Sequence, residues 1–263
     1  MNVWQAILLG AVQGFTEFLP VSSSGHLILV KRWLSLETDC GLFFDIALHI
    51  GTLIPVFILF FKSIKGLFRK PFNKLIYLIV ASVPAAVIGV IFGDKIESLF
   101  VSEDLISAIT LSCAFFFTAC ELLLAEKISE KNKNTLPLSL KSSIIMGVCQ
   151  GFAVIPGLSR SGTVITGGTI AKLNAENNAE FAFLMSIPVI LGAALFSGVK
   201  AITNGESINV LPLFAGVITS AVTGYIAISV CLKAVKKSKY KWFSVYLFIL
   251  AAASVLTKVI FGV

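Results

Sequence analysis

Six stretches of this chain stay apolar for about a membrane's thickness: roughly 43–61, 75–93, 105–125, 181–199, 210–230 and 243–261. At 1.5 Å per residue each makes a helix of about 30 Å, the depth of a bilayer's hydrocarbon core, so each predicts a membrane-spanning helix. Two further segments, 1–40 and 142–175, are apolar but interrupted by Gly, Pro and Ser. They predict re-entrant helix–loop–helix hairpins, because irregular backbone at membrane depth survives only against protein or a wet cavity.

Polar residues between the runs give the orientation. Lys62, Lys65, Arg69, Lys70 and Lys74 share one loop, and Lys233, Lys236, Lys237, Lys239 and Lys241 share another. The loop 126–141 carries Lys127, Lys131, Lys133 and Lys141 against Glu126 and Glu130. By contrast, 94–104 holds Asp94, Glu97, Glu103 and Asp104 against Lys95, and 200–209 has only Lys200 and Glu206. The excess of Lys and Arg on cytoplasmic loops puts the three basic loops inside and the other two outside. Every span then switches sides, both chain ends fall outside, and 142–175 must return to the face it entered.

Composition agrees. The chain has 263 residues, 57% hydrophobic and 13% charged, with mean hydropathy +0.94. A soluble domain is about a quarter charged, so one integral membrane domain over 1–263 is expected, with no nucleic-acid partner: the net charge of +7 reflects membrane topology. The N-terminus has no basic flank and carries Glu17 within its apolar stretch, so no cleaved signal peptide is expected. Cys40, Cys113, Cys120, Cys149 and Cys231 contain no CxxC pair and read as small buried hydrophobes. No HExxH, GxxxxGK[ST] or zinc-ligand spacing occurs.

The interrupted segments resemble each other. "GAVQGFTEFLPVSSSGHLI" from Gly10 and "GVCQGFAVIPGLSRSGTVI" from Gly147 align at an offset of 137 residues, which pairs Gln13 with Gln150, Ser24 with Ser161 and Gly25 with Gly162. The offset persists at Phe44 and Phe181. Three spans separate the copies, so the second enters from the opposite face. The expected fold is an all-α polytopic membrane protein built as an inverted repeat, about 1–125 and 142–263, each half one re-entrant hairpin plus three transmembrane helices. Such hairpins can meet tip to tip and share one site.

Within 1–30 the only acid or imidazole is Glu17 and His26, and within 142–171 the only charge is Arg160. Ionisable groups in a membrane are costly and usually functional. Arg160 sits between serines and glycines at a helix start, where N–H groups, the helix dipole and a guanidinium suit a phosphate. The first tip adds Ser22, Ser23, Ser24, Gly25 and His26; the second adds Ser159, Ser161 and Gly162. Structural readings stand beside these: Glu17 and Arg160 as a buried ion pair fixing the register of the halves, His26 as a satisfied interior histidine, Ser22 as a helix cap, and His49 as a packing or cavity-lining residue. Acid–base groups on one loop and an anion clamp on the other suit a reaction on a phosphate.

"QGFTEFLPVSSSGH" together with "PGLSRSG" closely resembles the undecaprenyl-diphosphatase family, also called bacitracin-resistance proteins. Gln13, Glu17, Pro20, Ser22, Ser23, Ser24, Gly25 and His26 fit its first motif, and Pro156 through Gly162 fit its second. Gln13 stands where some members have glutamate, which weakens it as a metal ligand. The resemblance implies a multi-pass hydrolase of the bacterial cytoplasmic membrane that removes one phosphate from undecaprenyl diphosphate. The product is the lipid carrier for cell-wall synthesis, and the activity confers bacitracin resistance. It implies a divalent cation, Mg²⁺ or Ca²⁺, held by Glu17 with or without Gln13, and a site facing outside. Glu17, Ser23, His26 and Arg160 would be catalytic, with Ser23, His26 or a metal-bound water as nucleophile. Ser22, Ser24, Gly25, Ser159, Ser161 and Gly162 would bind the head group. A polyprenyl diphosphate and membrane lipids are the partners implied, and a homodimer is compatible with it. A secondary transporter or lipid flippase is the rival that inverted-repeat architecture suggests.

Overall fold

The computed structural model describes residues 1–36, 41–101, 104–131, 134–203 and 209–262. These residues form eleven helices in order: α1 (Val3–Phe18), α2 (Ser23–Trp33), α3 (Leu42–Leu59), α4 (Phe61–Leu67), α5 (Asn73–Val101), α6 (Leu105–Lys131), α7 (Leu140–Phe152), α8 (Arg160–Ile170), α9 (Ala175–Thr203), α10 (Val210–Lys236) and α11 (Lys241–Phe261). Among the described residues the only β-type contact is an isolated bridge, Leu136 to Leu173. Among the described residues six helices are long and apolar enough to cross a membrane, and each contains or nearly coincides with a predicted run. The chain is a multi-pass membrane protein.

The long helices outrun the hydropathy windows. α5 and α9 have 29 residues, about 44 Å at 1.5 Å per residue, because polar and charged residues continue a helix beyond the hydrocarbon core. Burial is inverted relative to a soluble bundle: only 17% of the α5 window is buried, and its Val83, Val87, Val90 and Ile91 face outward, as lipid contact requires. Two cysteines follow this pattern against expectation. Cys113 and Cys120 are exposed on α6 and Cys149 is half-buried, while Cys231 is buried as predicted; a thiol behaves as a small hydrophobe and sits as well against lipid as in a core. Cys40, and Glu103, Lys133 and Glu206 of the loop charges, lie outside the described residues.

The interrupted segments fold as two hairpins, α1–α2 and α7–α8, with equivalent local chemistry. Ser22 caps α2 by accepting from the Gly25 N–H at 3.4 Å, and Ser159 caps α8 by accepting from the Gly162 N–H at 3.1 Å. At the far ends Leu36 N–H donates to the Lys31 carbonyl and Leu173 N–H to that of Gly168, behind positive-φ residues Ser35 and Lys172. Both ends are Schellman caps. Each of these pairs is separated by 137 residues. α2 and α8 have 11 residues each, about 16 Å, too short to cross a bilayer.

Helix packing follows the same correspondence. α1 lies along α10 and α7 along α5, while α3 meets α9 and α6 meets α11. Glycine permits the close approaches: a Cβ at Gly10 would strike the Gly216 carbonyl, and one at Gly147 would lie 2.7 Å from the Ala81 carbonyl. The principal core lies between these pairs, around Phe18, Phe115, Met146, Ile165 and Phe183. Its Phe115 lies against His26 and the Gly25 position, and its Leu111 against the Gly157 position. Glu126 of α6 accepts from the backbone N–H groups of Tyr240 (2.5 Å) and Lys241 (2.7 Å), capping the start of α11.

Candidate active site

The two hairpin turns interlock. The Ser161 hydroxyl donates to the Leu19 carbonyl at 3.0 Å. A Cβ on Gly25 would lie 3.0 Å from the Gly157 Cα, and one on Gly162 would lie 3.2 Å from Pro20. Gly157 has φ +89°, a left-handed turn that a side chain would strain. So Gly25 and Gly162 sit where the tips pack, and Ser22 and Ser159 cap their helices. Ser24 lies 3.4 Å from Ser22, as Ser161 lies 3.2 Å from Ser159, hydroxyl to hydroxyl.

Glu17 is the centre. It is the penultimate residue of α1 and is 5% exposed. Its Oε2 accepts from the Ser23 hydroxyl at 2.6 Å and from the Gln13 amide at 2.9 Å, with His49 Nδ1 3.3 Å away. Its Oε1 accepts from Nη2 of Arg160, which crosses from the other hairpin. Ser23 and Arg160 are the first residues of α2 and α8, 137 residues apart. Equivalent positions of the two hairpins thus deliver a hydroxyl and a guanidinium to opposite oxygens of one carboxylate. Two helix N-termini, with their free N–H groups and positive dipole ends, open on the same point.

His26 turns elsewhere. Its Nδ1 lies 2.6 Å from the Ser22 carbonyl, and its Nε2 lies 2.6 Å from the Tyr246 hydroxyl of α11. The two rings stack with centroids 5.6 Å apart at 13°. Both rings line an apolar cleft of about 320 Å³ between α1, α2 and α11.

The second loop is held by one stripe of α6. The Thr118 hydroxyl accepts from the Ser159 N–H at 3.1 Å, and Glu121 accepts from the Thr163 hydroxyl at 2.6 Å. Sequence reading passed over Thr118, Glu121, Thr163 and Tyr246. The one available signal was Glu121, an acid inside a predicted span. His49, read as packing or cavity-lining, does border the site: the Gln13 amide nitrogen, 2.7 Å from its Nδ1, bridges it to Glu17.

A divalent cation can be tested against the donor set. Gln13 Oε1 is fully buried with no hydrogen-bond partner among the described residues, on the amide whose nitrogen donates to the Glu17 carboxylate, which also holds the Ser23 hydroxyl. These oxygens fit a hard cation that takes its other ligands from phosphate and water. Among the described residues no cluster of three or more His, Cys, Asp or Glu forms a closed cage.

An all-helical multi-pass protein with a carboxylate, a serine and an arginine joined at two buried helix starts belongs to the class of membrane proteins equipped to bind and process an anion. Comparison with known proteins narrows this. Residues 6–253 match the family described as bacitracin resistance protein BacA, and the chain belongs to that family. It is 43% identical over 254 residues to the undecaprenyl-diphosphatase of Carboxydothermus hydrogenoformans, covering 95% of each chain. It is 42% identical to that of Moorella thermoacetica, over 96% of each. It is 39% identical to undecaprenyl-diphosphatase 4 of Bacillus cereus, over 94% of this chain and 93% of that one.

Proposed function

We propose that the protein is an undecaprenyl-diphosphate phosphatase: it hydrolyses the diphosphate of a polyprenyl lipid and releases inorganic phosphate. One observation carries the reading. Ser23, Glu17 and Arg160 form a contiguous hydrogen-bonded set between two helix N-termini, in a chain whose relatives are named for this activity.

Arg160 is the phosphate clamp. On substrate binding its guanidinium moves from Glu17 to the terminal phosphate, where two parallel N–H bonds suit two oxygens. The loop N–H groups add to the field that stabilises charge on the transferring phosphoryl. Ser23 Oγ attacks the terminal phosphorus and gives its proton to Glu17, already 2.6 Å away. The bond from phosphorus to the bridging oxygen breaks, and the lipid phosphate departs with both electrons. Water then attacks the phosphoserine, the serine oxygen leaves and is reprotonated, and inorganic phosphate is freed. Ser23 is favoured as nucleophile because Glu17 is its partner, whereas His26 is tied to Tyr246. Glu17, Gln13 and Ser23 would hold a Mg²⁺ or Ca²⁺ ion, which when bound supplies charge neutralisation to the diphosphate.

The matched caps and exchanged packing partners support two inverted halves, and the loop charges support a site opening outward from the cytoplasmic membrane with basic loops inside. The test is phosphate release from a long-chain prenyl diphosphate by detergent-purified protein. Wild type turns over and Ser23→Ala falls by about 10²-fold or more. Vesicle flux without phosphate release would refute the enzyme and favour a transporter.

A further inference from the structure

α8 is packed directly on α6, but α2 is not packed in the same way on α11. Two side-chain bridges span the gap instead. His26 meets Tyr246 at its inner end, and Trp33 Nε1 donates to the Thr257 hydroxyl at 3.3 Å at the other. Between them lies the apolar cleft of about 320 Å³, walled by Val12, Phe15, Leu29, Val30 and Leu250. From His26 to Trp33 is seven residues of helix, about 10 Å. An isoprene unit adds four chain bonds, about 5 Å when extended, so the cleft accommodates about two units.

The His26 ring is chemically oriented. The Ser22 carbonyl can only accept, so Nδ1 carries the hydrogen and Nε2 is the bare nitrogen. The Tyr246 hydroxyl donates to that nitrogen. Tyr246 is 44% exposed and its ring lines the cleft. Its hydroxyl therefore stands at the edge of the apolar groove, against a histidine one helical turn from Ser23.

We infer that Tyr246 is a positioning residue for His26, and that the pair marks the threshold at which a diphosphate head group ends and the first isoprene units of its own tail enter the α1–α2–α11 cleft. This rests on the phosphatase reading and deepens it. His26 lines the cleft one helical turn from Ser23, and Thr16 lines it next to Glu17, so the cleft borders the Ser23–Glu17–Arg160 cluster; a lipid diphosphate is the substrate that needs a polar site beside an apolar groove. By holding Nε2, the Tyr246 hydroxyl fixes the imidazole ring at the junction of pocket and groove, so that the head group stops there and the tail continues into the cleft.

The test uses Tyr246→Phe, which keeps the ring and removes the hydroxyl, in detergent-purified protein assayed on farnesyl diphosphate and a long-chain prenyl diphosphate. The expected result is a fall in kcat of about tenfold or more, the scale of a head group held slightly off its reactive geometry, with KM changed less than about threefold. The double variant Tyr246→Phe/His26→Ala should be no slower than His26→Ala, because the tyrosine acts through the histidine. An unchanged kcat, or a double variant slower than His26→Ala by the full Tyr246→Phe factor, overturns the positioning role. For the groove, Leu250→Trp fills the cleft and should raise KM for both prenyl diphosphates by about tenfold, the loss of roughly two buried methylenes; an unchanged KM in a folded variant overturns the tail site. Wild type without turnover would refute the underlying activity instead, so the two failures are distinguishable.

Discussion

Replacing Arg160 by alanine removes two things at once, and their separation decides what the Glu17–Arg160 contact is for. The arginine side chain is 16% exposed and the carboxylate 4%, so this is a buried pair. Taking one member from a buried pair costs about 3–5 kcal/mol. Glu17 keeps its donors from Ser23 at 2.6 Å and Gln13 at 2.9 Å, which places the expected loss at the lower end, about 3 kcal/mol. The catalytic loss is distinct: removing one preorganised donor from a transition-state oxyanion costs about 10²–10³ in rate, or about 2.7–4 kcal/mol. The double variant Glu17→Gln/Arg160→Met removes both charges at similar volume and should melt near wild type, since neutral replacement of a buried pair is close to cost-free. Its phosphate release should stay at least about 10²-fold down. The assay is initial-rate phosphate release normalised to monodisperse protein, alongside thermal melting in the same detergent. Recovery of activity in the double variant, or an Arg160→Ala loss below about tenfold, would make the pair a register lock and refute the clamp.

Three further outcomes follow from named contacts. Gly147→Ala places a Cβ 2.7 Å from the Ala81 carbonyl and 2.8 Å from its Cα, so melting should fall by the equivalent of about 1–3 kcal/mol; Gly89→Ala meets nothing within 4 Å and should be neutral or stabilising by up to about 1 kcal/mol, and the reverse order would refute the close α5–α7 approach. Glu121→Gln keeps an acceptor for the Thr163 hydroxyl and should hold activity within about threefold, whereas Glu121→Leu, which strands that hydroxyl, should lose about tenfold or more; an inactive Gln variant would show that the charge matters rather than the hydrogen bond. Chelation of divalent cations should stop phosphate release and added Mg²⁺ or Ca²⁺ restore it, with undiminished turnover in excess chelator counting against a cation held by Glu17, Gln13 and Ser23.

The spans were legible because lipid imposes one simple requirement on length and polarity, and 105–125 or 243–261 meets it with little ambiguity. Their ends were not, since α9 begins at Ala175 rather than near 181, in polar residues that hydropathy scores as loop but that continue a helix. The pairing of Glu17 with Arg160 was readable from scarcity: so few charges in apolar surroundings have few partners to choose from. The direction His26 faces was not, because helical spacing places it one turn from Ser23 but says nothing of α11, whose Tyr246 lies 220 residues away in sequence. Thr118 and Thr163 escaped for a related reason. A threonine in an apolar helix gives the same sequence signal whether it back-bonds to its own helix, as Thr169 does to the Ile165 carbonyl at 2.9 Å, or grips a neighbouring loop.

Ser23 and Arg160 occupy the same turn of matching scaffolds, and only the first scaffold owns the carboxylate that both of them touch. Catalytic competence is then a property of assembly. Severed between α6 and α7 and produced as two fragments, the protein would yield one piece with the proposed nucleophile and no clamp, and another with the proposed clamp and no nucleophile. Each would be inert alone, and complementation would appear only when the two fragments dock in the same bilayer.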